Sequence, residues 1–377
     1  MRSRQIYLDY NASTPIAPEV ATVMRPFLDG AYGNPSSGHW AGRPAREAVE
    51  RARGQLAGLL GCAADEVVFT SGGSEANNHA LKGVAFALRE KGNHIVTTVV
   101  EHPATLAPCQ HLSKLGCSIT QVPVDRYGRV DPDDVRRALT PQTILVSVMH
   151  ANNEVGTIEP IEEISRLTRA RGILFHTDAA QSVGKIPTKV DELGVDLLSI
   201  AGHKLYAPKG VGALYIRRGT PIEPLIHGAG HESGRRAGTE SALMAAALGA
   251  AAVLAGDLSS MARVAALREG MWTQLQAALG DRITLNGHPV HRLPNTLNVS
   301  FVGRIGAEIL AALDGVAAST GSACHSGRIA LSPVLQAMGI APEVGMGAVR
   351  FSLGRGTTRD EIDAVVARIR HASWTPG

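Results

Sequence analysis

Apolar residues at Val49, Ala52, Leu56, Leu59 and Leu60 recur at the spacing of one helix face, and Gly61 follows them as a stop. The next apolar run, Val67-Val68-Phe69-Thr70, is short and β-branched, and Ser71-Gly72-Gly73 breaks it before another helical pattern. The alternation continues along the chain. Strands are predicted over 67–70, 94–100, 119–124, 143–149, 173–176, 197–200 and 211–216, with helices between them such as 131–139 and 160–170. Asp131 reads as a helix cap, with Pro132 in the first helical position. Strands alternating with helices predict a mostly parallel sheet covered on both faces.

The rhythm changes after about residue 239. Two helical stretches, 241–255 and 259–279, lead to a strand at 296–301, a helix at 306–313 and a Ser- and Gly-rich loop. A strand at 348–353 and a capped helix at 358–371 follow. This predicts a second, smaller α/β unit without a flexible linker. The expected division is a large domain over 15–255 and a small domain made of 1–14 and 256–377. A chain of 377 residues is long enough for both.

Composition removes several function classes. Hydrophobic residues make up 44% and charged residues 19%, as in an ordinary folded protein. A net charge of +3, with no basic tract, gives no electrostatic case for binding nucleic acid or a membrane. The most apolar stretch, 242–254, is too short to span a bilayer, and no apolar run follows the N-terminal charges as a signal peptide requires. Four dispersed cysteines (Cys62, Cys109, Cys117 and Cys324) form no C-x-x-C and no metal-like spacing. That usage fits reduced thiols in a cytoplasmic protein, with no metal expected.

Ligands of such sheets bind at the carboxyl ends of the strands, so the residues that follow each strand carry the chemistry. Ser71-Gly72-Gly73-Ser74 opens a helix, and its free N–H groups and hydroxyls suit a phosphate; a simple turn is the plainer reading. Neither G-x-G-x-x-G nor a P-loop motif occurs, which argues against a dehydrogenase or nucleotide hydrolase. Asp178 follows the strand at 173–176, where a buried carboxylate needs a cationic partner such as a protonated pyridine nitrogen; otherwise it caps the next helix. Gln181 then reaches the phenolic oxygen of such a ring. Lys204 follows the strand at 197–200 in a Gly-flanked turn, where burial would free its amine for a Schiff base. His102 comes to the same edge after 94–100. Ser74, His102, Asp178 and Lys204 together match phosphate, ring face, ring nitrogen and aldehyde of pyridoxal 5'-phosphate (PLP).

The chain resembles the cysteine desulfurase family, within the class V aminotransferases of PLP fold type I. The likeness runs nearly end to end, through 7–15, 33–37, 70–78, 152–156, 176–181, 202–204, 236–240, 321–324 and 350–354. It implies a seven-stranded, mostly parallel large-domain sheet between helices. It also implies that Lys204 bonds the cofactor, Asp178 pairs with its pyridinium and His102 stacks on the ring and moves protons. Gln181 bonds the phenolic oxygen. Gly73, Ser74 and His203 hold the phosphate, with Thr239 contributed across a homodimer interface. Asn153 and Arg350 bind the substrate carboxylate. Two departures stand out: Ser74 replaces a common Thr and keeps the hydroxyl, whereas Ala201 replaces a common Ser and loses one phosphate hydrogen bond.

Cys324 lies in Ser319-Thr320-Gly321-Ser322-Ala323-Cys324-His325-Ser326-Gly327, a small-residue stretch expected to be a mobile loop. An isolated cysteine is by itself a small buried hydrophobe. The resemblance makes it the acceptor of sulfur from L-cysteine, as a persulfide later passed to an acceptor protein in iron–sulfur assembly, tRNA thiolation or a related route. Selenocysteine lyase is the neighbouring alternative, and a non-catalytic scaffold that binds sulfur acceptors is one from another class.

Overall fold

The computed structural model describes residues 5–371 except 321, 326 and 327, with only the backbone of 322–325, 328 and 329. The N-terminal strand β1 (Ile6–Tyr7) precedes seven strands of one sheet: β2 (Val67–Thr70), β3 (His94–Thr98), β4 (Ser118–Val122), β5 (Thr143–Ser147), β6 (Leu174–Asp178), β7 (Leu197–Ala201) and β8 (Gly212–Ile216). The spatial order is β2-β8-β7-β6-β5-β3-β4. Only β8 runs antiparallel to its neighbours. The mostly parallel seven-stranded sheet is therefore present. Strands β3, β5, β7 and β8 are buried along their whole length, which explains why they read as short apolar and β-branched runs rather than as alternating ones.

Alternate side chains feed two cores. Val67, Phe69 and Ala213 face one layer with helices Arg43–Leu60 and Ala242–Gly256, while Val68, Ile95, Leu145 and Leu214 face the layer with helix Gly73–Ala87. The two helices of the first layer approach closely. A Cβ at Gly249 would sit 2.6 Å from the Ala52 backbone, so the Ala- and Gly-rich stretch is a packing surface. Among the described residues no single helix is long and apolar enough to cross a membrane.

The C-terminal part forms a four-stranded antiparallel sheet in the order β12-β15-β10-β9: β9 is Ile283–Asn286, β10 Thr296–Phe301, β12 Ser319–Thr320 and β15 Ala348–Ser352. Its core, with Leu297, Val299, Phe351 and Val365, is separate from those of the large sheet. β1 pairs in parallel with β11 (Val316–Ala317) beside it. The stretch expected to be a loop around Cys324 instead contains an antiparallel pair, β13 (Ser322–His325) and β14 (Arg328–Leu331), with Cys324 opposite Ile329. Backbone pairing there needs no apolar alternation, which is why the small-residue composition concealed it.

Candidate active site

At the carboxyl ends of β3, β6 and β7 lies a cavity of about 400 Å³, and Gly73, Ser74, His102, Asn153, Asp178, Gln181, His203, Lys204 and Arg350 all line it. One residue named from the sequence lies elsewhere. Thr239 is exposed and outside the lining, and the Cys324 side chain falls outside the described residues.

Asp178 is the last residue of β6 and is nearly buried. Asn77 Nδ2 donates to its Oδ2 at 2.6 Å and the Ala180 N–H to its Oδ1 at 2.9 Å. Asn77 sits on the buried face of helix Gly73–Ala87, so that helix packs against the sheet through a polar anchor. Asp178 is the only carboxylate among the lining residues. Burial of its charge leaves it suited to a cationic ring nitrogen.

Lys204 follows β7 in a short 3₁₀ turn. Its Nζ donates to the carbonyl oxygens of Asn11 and, at 3.0 Å, Ala12. Burial, with help from the Arg350 charge and against Asp178 and Asp9, brings its ammonium down to about 8. A useful fraction of the amine is then neutral near physiological pH. His102 caps helix Pro103–Lys114, and its Nδ1 accepts the Ala104 N–H at 3.0 Å, which assigns the ring proton of the neutral form to Nε2. Its ring is exposed to the cavity yet enclosed by protein. Desolvation lowers its pKa, Asp178 opposes this and Lys204 reinforces it. The neighbouring Glu101 is buried, accepts from Thr98 Oγ1 and the Met149 N–H, and is pushed up to about 8 by burial.

The opposite end suits an anion. Helix Gly73–Ala87 begins there, and its first N–H groups have no intrahelical acceptor. Ser74 and His203 line this end together with Ala201, whose methyl adds no donor. Burial, then Lys204 and Lys209, lower His203 to about 4, so it serves as a neutral hydrogen-bonding ring. Glu75 ties the helix start to the 236–240 segment through its ion pair with Arg236 at 2.9 Å.

Arg350 enters from β15. Nη1 donates to the Asn153 carbonyl oxygen at 2.9 Å, Nη2 to Asp9 Oδ1 at 2.8 Å and to Ser319 Oγ at 3.0 Å, while buried Nε has no partner among the described residues. The sequence reading missed Asn11, Asn77 and Asp9 as site residues. Asn11 shows why: its carbonyl oxygen holds both Lys204 and Gln181, and a backbone oxygen leaves no signature in residue type.

An anion-binding helix end, one buried carboxylate and a buried amine across a single cavity fit PLP. Residues 6–365 match the class V aminotransferase family model. The chain is 52% identical over 365 residues to cysteine desulfurase IscS of Dictyoglomus turgidum, covering 96% of this chain and 92% of that one. A solved NifS-like protein superposes with a TM-score of 0.91 at 37% identity, covering 97% of this chain and 98% of the other. SspA, solved in complex with cysteine, superposes with a TM-score of 0.84 at 34% identity, covering 93% and 99% respectively.

Proposed function

The chain belongs to the class V aminotransferases, and among them to the PLP-dependent cysteine desulfurases, and on that premise we propose how its own residues divide the work. Asp178 would hold the pyridinium, Gln181 the phenolic oxygen, Gly73, Ser74 and His203 the phosphate, and Lys204 is the amine that would take the aldehyde end of the cofactor. When bound, PLP supplies an electron sink that acidifies the Cα proton of the substrate. Arg350 and Asn153 orient the substrate carboxylate; the orphaned Nε of Arg350 supports a donor kept for it. Lys204, with its lowered pKa, takes the Cα proton, and His102 presents Nε2–H at the cavity for proton movement.

Cys324 acts as thiolate on the substrate sulfur. The sulfur–sulfur bond forms as the Cβ–S bond breaks, the bonding pair stays with carbon, and Cβ takes a proton. The balance is L-cysteine plus enzyme thiol giving L-alanine plus enzyme persulfide, which an acceptor protein then discharges. We assign the enzyme to the cytoplasm, as a homodimer whose second copy supplies Thr239, feeding iron–sulfur assembly or tRNA thiolation. The separate apolar cores support a division into 15–255 and the remainder.

The convergence of Lys204, Asp178, His102 and Arg350 on one cavity carries this reading. Equal amounts of alanine and sulfide from L-cysteine under reductant, both lost in Lys204→Ala, are the expected result. Turnover of selenocysteine with none of cysteine would replace it with selenocysteine lyase.

A further inference from the structure

Lys185 has no place in the mechanism above, yet it is 9% exposed and forms no ion pair among the described residues. Burying an ammonium without a counter-ion is costly, so a retained one has a task. Its hydrogen-bond partner is Gln181 Oε1, at 2.9 Å. Gln181 Nε2 in turn donates to the Asn11 carbonyl oxygen at 3.0 Å, and the same oxygen accepts from Lys204 Nζ. Lys185, Gln181, Asn11 and Lys204 therefore form one continuous chain, and both lysines also border a small cavity of about 20 Å³ behind the active site.

We propose that Lys185 is a positioning residue: it fixes which end of the Gln181 amide faces the active-site cavity, and so presents an N–H to the phenolic oxygen of PLP. This rests on the assignment of Gln181 to that oxygen. A glutamine amide can sit in two orientations of nearly equal shape. An ammonium only donates, so Oε1 must turn toward Lys185. The Asn11 carbonyl only accepts, so one N–H must turn toward it. Reversal would set carbonyl against carbonyl and amide N–H against ammonium, losing both bonds. Burial, Lys204 and Arg350 bring Lys185 down to about 7. The neutral amine keeps two donors, and because it can also accept, the orientation is fixed most firmly in the ammonium form and is held in either form by the Asn11 carbonyl. With one Nε2 hydrogen on Asn11, the second has no acceptor among the described residues, and Gln181 lines the cavity. That hydrogen is the one available to the cofactor.

The test compares two probes on the PLP-free full-length chain: PLP itself and its 3-deoxy analogue, which lacks the phenolic oxygen. Lys185→Met keeps length and apolar volume but removes the donor. Its Kd for PLP is expected to rise roughly three- to tenfold, the net worth of one such hydrogen bond, while its Kd for the analogue stays within about twofold. Lys185→Arg, whose guanidinium only donates, recovers most of the loss. Equal weakening of both probes, or of neither, overturns the proposal, because a packing role would not sense the phenolic oxygen. Gln181→Leu separates the two layers of the argument. If it fails to discriminate between the probes, the Gln181 assignment falls and the proposal with it. If it discriminates while Lys185→Met does not, only Lys185 is refuted.

Discussion

Replacing Ala201 by serine should tighten cofactor binding. Ala201 ends β7, is 4% exposed and lines the cavity beside Ser74 and His203, where the unpaired N–H groups of helix Gly73–Ala87 also point. Its methyl faces Gly73 closely: a Cβ built on Gly73 would lie 3.2 Å from the Ala201 Cβ, a tight contact, so the absence of a side chain at Gly73 is what keeps the space beside Ala201 open. A serine hydroxyl at this place adds one donor to the phosphate. A hydrogen bond to a charged acceptor contributes about 1.5–3 kcal/mol net. Ordering the hydroxyl and the partial hydration of an open cavity reduce that to about 1.4 kcal/mol, or about tenfold in affinity.

The assay is the Kd of the cofactor-free chain for PLP, with pyridoxal as the control that lacks the phosphate. Ala201→Ser should bind PLP about tenfold tighter and pyridoxal unchanged. A PLP affinity within twofold of the parent, or an equal gain for pyridoxal, would refute the reasoning. The phosphate would then lie elsewhere than between Ser74 and His203, and the orientation of the cofactor in the cavity would have to be reversed or shifted.

Reconstitution with PLP should accelerate as pH rises and level off above about 8, because the neutral Lys204 amine is the nucleophile; a midpoint near 10.5 would show an unperturbed lysine. Cys324→Ala should bind PLP and cysteine yet form no enzyme persulfide, and alanine release at the parent rate would remove Cys324 from the reaction. Arg350→Lys should raise KM for cysteine about tenfold with a smaller fall in kcat, since an ammonium cannot reproduce the planar fork; an unchanged KM would place the carboxylate elsewhere. Glu232→Gln should destabilise the fold by about 3 kcal/mol in denaturant titration, because Arg53 would keep its buried charge without the partner now 2.7 Å away. An unchanged unfolding midpoint would show that water solvates Arg53.

The strands of the large sheet were legible because full burial favours runs of apolar residues on both faces, as in Ile144-Leu145-Val146 of β5 and Leu197-Leu198 of β7. Helix Pro18–Asp29 was not, since it fully buries only Val20 and carries Pro26 inside, so its apolar positions Val20, Met24 and Phe27 read as an interrupted pattern. β1 and β11, two residues each, pair between distant parts of the chain, and no local pattern encodes that contact. The site divides the same way. Asp178, Lys204 and His102 were readable because each follows a strand and projects chemistry unusual for a turn. Lys185 carried a weaker signal that went unused: a cation close after buried Val183 in a segment otherwise built of small and apolar residues.

Charge balance unites these parts. Lys204 and Arg350 line the cavity with Asp178 as its one carboxylate, while Asp9 takes part of the Arg350 fork from outside the lining. Such a surplus of positive charge attracts a phosphate and a substrate carboxylate, which are the two anionic groups the reaction brings in. The same surplus works against protonation of Lys204, for Arg350 adds to burial in lowering its pKa. Adding a second carboxylate to the lining would therefore weaken substrate binding and also raise the pKa of the amine. Burial of Glu101 illustrates how the fold avoids this: Glu101 immediately precedes His102, but its carboxyl is turned to Thr98 and Met149 and desolvation raises it to about 8, so it adds little negative charge beside the cavity.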